Sequence, residues 1–412
     1  MRVCGWFSCG FFPAVFLVIV SAVQSSMATE KLRVAYQWKF LDFAWPDQET
    51  RQLFPDYVRE NNNPLGVLAT GDRLFITIPR WKSGVAATLN YIYLNDTKES
   101  PLLNPYPSWE AHRHGDGKVP EVVSVFRIWA DKCDRLWVLD MGYESYIRNK
   151  QLWAPPALLI YNLTTDQLLR KYVIPSDQYR TPSHFGNVVV EDASCDDAFA
   201  YLADLQGPGL IVYSWANNTS WLVKHHYFSP DPMAGSFNSS GLSYHWWDGI
   251  INLSLAPKED GFSTLYFHPL CSNDEFFVDT EVLRVQERIP GKNNFYEFHA
   301  LGSRGSNTQG AASYLDPKSE ILFHALSIAN NIACWKPGTK YSPENIGLIF
   351  PDNDTLIFPS DIKIDAQSNI WVMADLLPVF MYSQLDPNNY NFQVWTGSVQ
   401  NAIAGTPCAQ KT

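Results

Sequence analysis

Six times along the chain an apolar strand with polar edges is followed by a short turn and a second strand of alternating bulky residues. The second strands are Arg73–Pro79, Arg135–Asp140, Ala200–Asp204, Thr264–His268, Ile321–Ala325 and Asn369–Asp375. They recur at intervals of roughly 48 to 65 residues, the spacing of propeller blades with long connecting loops. Leading strands are legible at Gly186–Asp192, Gly249–Leu255 and Asp361–Asp365. The turns between the paired strands are Gly71-Asp72, Lys132-Cys133-Asp134, Asp196-Asp197, Asp316-Pro317 and Ala366-Gln367-Ser368, each with at least one residue type that favours a reversal. These strands are more apolar than simple alternation requires, because a blade buries both sheet faces against its neighbours. No stretch sustains a helical period, which excludes helical solenoids. The pattern predicts an all-β fold, a six-bladed β-propeller forming a single domain over 29–412. Its ring closes by Leu32–Trp38 pairing beside Asn391–Trp395. A pair of β-sandwiches is the rival arrangement.

Composition adds bulk and location. With 412 residues, 46% of them hydrophobic and 14% aromatic, the chain has ample core, and its rings favour pleated surfaces. A formal charge of −11 without any basic run longer than two residues excludes a nucleic-acid partner. At the start, Arg2 precedes the apolar Phe11–Val20 and a small, polar stretch to Ala28. This reads as a signal peptide over 1–28, cleaved at about 22–28. No later segment is apolar for long enough to span a bilayer, so the expectation is a secreted, extracellular monomer without a membrane partner. Sequons at Asn95, Asn162, Asn217, Asn218, Asn238, Asn252 and Asn353 are glycosylation candidates. Beyond the leader stand Cys133, Cys195, Cys271, Cys334 and Cys408, an odd number of widely spaced cysteines without a Cys-x-x-Cys.

A propeller's chemistry normally sits in its central channel. Polar residues at the starts of the leading strands are Asn187, Asp248, Gln309 and Asp361, and the first three are evenly spaced. They are the candidate ligand contacts; two carboxylates and two amides could also hold a hard cation. The plainer alternative is that they cap strand ends by hydrogen bonding. His112-Arg113-His114 has metal-like spacing but no nearby cysteine, and His225-His226 would point to opposite faces of a strand. Neither a resident metal nor a cofactor is expected. Nucleophile elbows, His-Glu-x-x-His and phosphate-binding loops are absent from the sequence.

Pro79-Arg80-Trp81 with Ala87–Tyr91, Cys133–Asp140, Cys195–Tyr201, Ala333-Cys334-Trp335, Pro359-Ser360-Asp361, Ile370–Met373 and Asn391-Phe392 resemble the insect yellow / major royal jelly protein family. The match runs from about Leu32 to Cys408 and looks more like a yellow protein than a royal jelly protein. The resemblance implies a secreted six-bladed propeller. It implies bridges Cys133–Cys195 and Cys334–Cys408 with Cys271 free, whereas spacing alone equally allows Cys271–Cys334. Some salivary relatives bind biogenic amines in the channel; the corresponding positions are Asn330 and Asn345, although Gly347 stands where those binders carry an aromatic ring. Other members isomerise dopachrome, which needs a proton carrier, and His324 is the candidate catalytic residue for that reading. Three functions follow. The favoured one is a pigmentation or developmental protein binding a small aromatic amine or catechol. The others are a dopachrome isomerase and a structural or signalling glycoprotein without a small ligand.

Overall fold

In blades 2, 5 and 6 the turn joining the leading strand to its partner begins with an aspartate that accepts the turn's N–H groups. In the turn Asp131–Arg135, Asp131 receives the backbone N–H groups of Cys133 and Arg135 and the indole N–H of Trp137 at 2.7 Å. Asp365 does the same for Gln367, Asn369 and the Trp371 indole at 2.8 Å. Asp134 and Ser368 both adopt positive φ at the same turn position, 61° and 62°. One polar device thus sets the hairpin and the rotamer of the buried tryptophan that follows it.

The computed structural model describes residues 30–409 apart from 116, 146, 148–149, 181–182 and 286–293, and the signal-peptide reading of 1–28 lies outside them. From Lys31 onward the chain is one unit of six four-stranded antiparallel sheets. Blade 1 comprises Val67–Thr70, Arg73–Thr77, Leu89–Tyr93 and Asn104–Pro105; blade 2, Val125–Ala130, Arg135–Asp140, Ala157–Asn162 and Leu168–Val173. Blade 3 comprises Phe185–Glu191, Phe199–Asp204, Gly209–Ser214 and Thr219–Val223. Blade 4 has Ile250–Pro257, Ser263–Pro269, Asp274–Asp279 and His299–Ser303; blade 5, Gly310–Asp316, Ile321–Leu326, Asn331–Trp335 and Gly347–Leu348. Blade 6 is built from Pro359–Ile364, Asn369–Ala374 and Phe392–Ser398, and its outer strand is the N-terminal Arg33–Trp38. Trp38 pairs with Phe392 and Arg33 with Thr396, so the first strand closes the ring as the sequence predicts.

The core is not one centre but wedges between blades. Val67, Leu74 and Ile76 of blade 1 pack on Trp371, Met373 and Val394 of blade 6, whereas Phe75 and Leu89 face Val138 and Leu159 of blade 2. This two-sided burial is why the strands read as continuous apolar runs. Cys133 is bonded to Cys195, tying the turns of blades 2 and 3, and Cys334 to Cys408, tying blade 5 to the C-terminal turn; Cys271 is free and buried. Loops of this length limit the unfolded chain by about 4 kcal/mol per bridge in the chain-entropy account. Among the described residues no helix is long and apolar enough to cross a membrane.

Candidate functional site

The channel is lined by polar side chains, and they are consumed in joining one blade to the next. Asp361 of blade 6 accepts the Val67 N–H of blade 1 at 3.0 Å, and Thr77 of blade 1 donates to the Phe126 carbonyl of blade 2 at 2.5 Å. Asn187 of blade 3 donates to Ile251 O of blade 4, and Asn252 of blade 4 to Gly310 O of blade 5. Ser327 closes the circuit from blade 5 to Pro359 O of blade 6. Arg127 of blade 2 lies across the middle. Its guanidinium reaches Gly186 O at 3.4 Å, Ala311 O at 2.8 Å and Ser360 O at 2.6 Å, and pairs with Asp361 at 3.1 Å. Lys363 holds the same carboxylate at 2.9 Å.

This arrangement corrects the expected convergence of Asn187, Asp248, Gln309 and Asp361. Even spacing does not make them equivalent, because the leading strands of blades 3 to 6 carry a β-bulge near their start and the linkers differ in length. By register the counterparts of Asn187 are Asn252, Ala312 and Asp361, each just past the bulge. Asn187 and Asp361 are blade-to-blade connectors, and Gln309 donates to Ala234 O in the segment between blades 3 and 4. Asn252 is fully buried with its amide nitrogen engaged, so its sequon offers no attachment point in the folded chain. The other six sequon asparagines have exposed or half-exposed side chains.

Above Arg127, at the end where the leading strands begin, is a cavity of about 410 Å³. Its walls are aromatic: Trp81, Phe126, His184, Trp246, Phe358 and Tyr382. Phe126 stands edge-on to His184 at 4.2 Å and to Trp81 at 4.7 Å. The aspartates ending the second strands organise this mouth. Asp140 accepts the N–H groups of Val123, Ser124 and Gly142; Asp204 accepts that of His184 and the hydroxyl of Ser183. Burial holds His184 well below the ordinary histidine range, so its ring is neutral.

Asp248 is the one of the four expected channel residues that lines the cavity. Its backbone is anchored by Cys271, whose sulfur accepts the Asp248 N–H at 3.3 Å. Among the described residues its carboxyl has no hydrogen bond or ion pair. Desolvation by the surrounding walls pushes its pKa up to about 7, with nothing to offset it. Among the described residues the cavity therefore presents aromatic faces, the paired guanidinium of Arg127 and one carboxyl with a pKa of about 7, and the free carboxyl among rings suits a cationic, ring-bearing molecule.

Three other expectations fall elsewhere. Asn330 takes a positive φ of 49° and joins two loops, accepting the Phe358 N–H and donating to Asn353 O. Asn345 donates to Lys340 O within its own loop. Neither lines the cavity. His324, the candidate proton carrier, lies on the second strand of blade 5, sealed between blades 4 and 5. There Tyr341 Oη is 3.0 Å from its Nε2, and burial holds it neutral. His268 and Glu275 join it in a grouping with metal-like spacing. Arg304, 2.6 Å from Glu275, already supplies a balancing cation, while both histidines are held neutral by burial and His268 Nε2, Glu275 Oε1 and His324 Nδ1 are left without hydrogen-bond partners. The cavity residues the sequence reading passed over are Trp81, Arg127, His184, Trp246 and Tyr382. The dense run Trp246-Trp247-Asp248 in the long segment between blades 3 and 4 was the available signal.

A six-bladed propeller with an aromatic cavity at one mouth defines the class, and relatives specify it further. The family model described as "Major royal jelly protein" matches residues 123–408. The chain is 39% identical over 409 residues to "Protein yellow" of Drosophila subobscura, covering 97% of this chain and 71% of that one. It is 38% identical over 402 residues to "Protein yellow" of Drosophila melanogaster, covering 96% and 74%. The chain belongs to the yellow / major royal jelly protein family. Among solved structures, a Bacteroides thetaiotaomicron protein of unknown function superposes with a TM-score of 0.52 over 89% of this chain and 74% of that one. At 10% identity that likeness concerns the fold alone.

Proposed function

We propose that this chain is a secreted yellow-type protein of cuticle pigmentation or the melanin pathway that binds a small catechol- or indole-type amine in the cavity at the channel mouth. The observation that carries the reading is Asp248, an unpaired carboxyl set in an aromatic wall. An ammonium group would supply the missing countercharge, and the rings of Trp81, Phe126 and Trp246 would take the flat part of the ligand. Family membership supports the pathway, and the two disulfides suit an oxidising compartment. Titration calorimetry with dopamine and serotonin tests it. Saturable heat is expected, lost in Asp248→Asn and weakening about tenfold per pH unit below about 7, where the carboxyl must first lose its proton. Equal binding of uncharged 4-methylcatechol, or unaltered binding by the Asn variant, would refute the ammonium role.

The same carboxyl favours one second reading. A group with pKa about 7 can remove and return a proton, as dopachrome isomerisation requires. Dopachrome absorbance decaying faster with the protein than with Asp248→Asn would support catalysis; a rate equal to buffer would end it.

A further inference from the structure

Two insertions outside the blades meet over the cavity. One is the hairpin Ser236–Ser239 with Leu242–His245, in the segment between blades 3 and 4, which ends in Trp246, Trp247 and Asp248. The other is the short helix Leu377–Tyr382, between the second and third strands of blade 6. Trp246 and Tyr382 both line the cavity, and the Trp246 indole N–H donates to Tyr382 Oη at 2.7 Å. The Tyr244 ring lies 5.4 Å from that of Tyr382, but its own hydroxyl is buried and unpaired.

The hairpin has a small core of its own. Phe237 stacks on Tyr244 at 5.5 Å, and both pack with the buried Cys271. The Cys271 thiol donates to the Trp246 carbonyl at 3.4 Å and receives the Asp248 N–H. The hairpin is thus seated on blade 4 through a weakly bonding sulfur, with Gln309 holding the preceding turn at Ala234 O. By contrast, the blades beneath are joined by the ring of buried hydrogen bonds described above. At its base the segment is tied to blade 4 by the Cys271 backbone and sulfur and by Gln309, but across to the helix it is held by one exposed hydrogen bond and a ring contact, and that side opens more readily than the sheets that carry it.

We infer that the hairpin Ser236–His245 is a lid over the cavity, latched to the helix Leu377–Tyr382 by the Trp246–Tyr382 hydrogen bond, and that its opening gates exchange of the ligand bound against Asp248. Its role as a gate rests on the amine-binding reading; its motion does not. Cys271 reports that motion directly, since the hairpin core and the Trp246 carbonyl cover its sulfur.

The test is the rate at which a small thiol reagent labels Cys271 in the native, ligand-free protein, read by mass spectrometry of the peptide that contains it. Tyr382→Phe removes the latching oxygen and keeps the ring; labelling should quicken about five-fold, the weight of one hydrogen bond. Trp246→Phe removes the donor and should do the same, which guards against a fault particular to one variant. Tyr390→Phe removes a hydroxyl bonded to Glu99, away from the cavity, and should leave the rate alone. Saturating dopamine should slow labelling of the unaltered protein. Unchanged labelling in both latch variants overturns the lid, as does a labelling rate with the denaturant dependence of global unfolding. Since the ligand-free rates need no amine, accelerated labelling without any effect of dopamine keeps the lid and removes the amine reading. Calorimetric binding with unchanged labelling does the reverse.

Discussion

Arg127 is the side chain on which the closed channel most depends, and replacing it with methionine isolates its contribution. Methionine keeps the length and fills much of the volume but offers no donor. The change leaves the carbonyls of Gly186, Ala311 and Ser360 without this partner and removes one of two cations from Asp361. Breaking a buried ion pair from one side costs about 3–5 kcal/mol. Lys363 and the Val67 N–H remain on Asp361, which lowers the electrostatic part, while the three carbonyls add to it. A net loss of about 4 kcal/mol is expected. Unfolding entropy of ~2.1 cal/mol/K per residue over roughly 380 residues gives about 0.8 kcal/mol/K, so the midpoint should fall by about 5 °C in scanning calorimetry. Lys363→Met provides the contrast. Arg127, Lys363 and Asp361 together bury two cations against one anion, and burial already pulls the Lys363 pKa down. Removing that ammonium leaves a matched Arg127–Asp361 pair, so its cost should stay within about 1 kcal/mol. A fall of less than 2 °C for Arg127→Met, or equal falls for the two variants, would show that the guanidinium is not what closes the channel.

Two further outcomes follow from buried groups. Burial raises the pKa of Asp375 to about 8 and that of Asp248 to about 7, above their unfolded values, so the folded state binds more protons between about pH 4 and 8. Stability should therefore fall as pH rises through that window and level off above it. Asp375→Asn, which keeps an acceptor for the Leu377 N–H, should flatten the fall by up to about 5 kcal/mol at pH 8 and have little effect near pH 4; parallel urea curves for both proteins would show no such difference if the carboxyl is not desolvated. Glycopeptide mapping of protein from a secreting host should find Asn252 bare whatever the state of the other sequons, because its amide is committed to Gly310 O; a glycan there in folded protein would contradict the channel described here.

Much of the fold was legible because blade formation is a local matter. The turn acceptors Asp131 and Asp365, the tryptophans six residues on, and strands apolar on both faces are all consequences of neighbours in sequence. The closing strand Arg33–Trp38 was legible too, since an unpaired edge at each end of a ring leaves one pairing to make. The channel residues were not. Asn187 and Asp361 read as polar groups on the right strands and do sit there, but a neighbouring blade's backbone satisfies them. Even spacing does not explain Asp248, which lines the cavity because it stands in the segment that follows the hairpin Ser236–His245, ahead of the blade 4 strand Ile250–Pro257. Bulges and unequal linkers shift register by amounts that counting along the chain cannot register.

The sequence by itself therefore determined the repeat, the ring and the lineage, because strand periodicity and turn chemistry act over a few residues. Which side of each strand faces a neighbour, the lining or a loop was decided only when six blades packed around Arg127. Tertiary structure alone brought Trp81, His184, Trp246 and Tyr382 from blades 1, 3 and 6 and the lid to one cavity, and left the Asp248 carboxyl there without a partner. A buried polar group is structural when a neighbouring backbone satisfies it and available for chemistry when none does, and that difference is a property of packing.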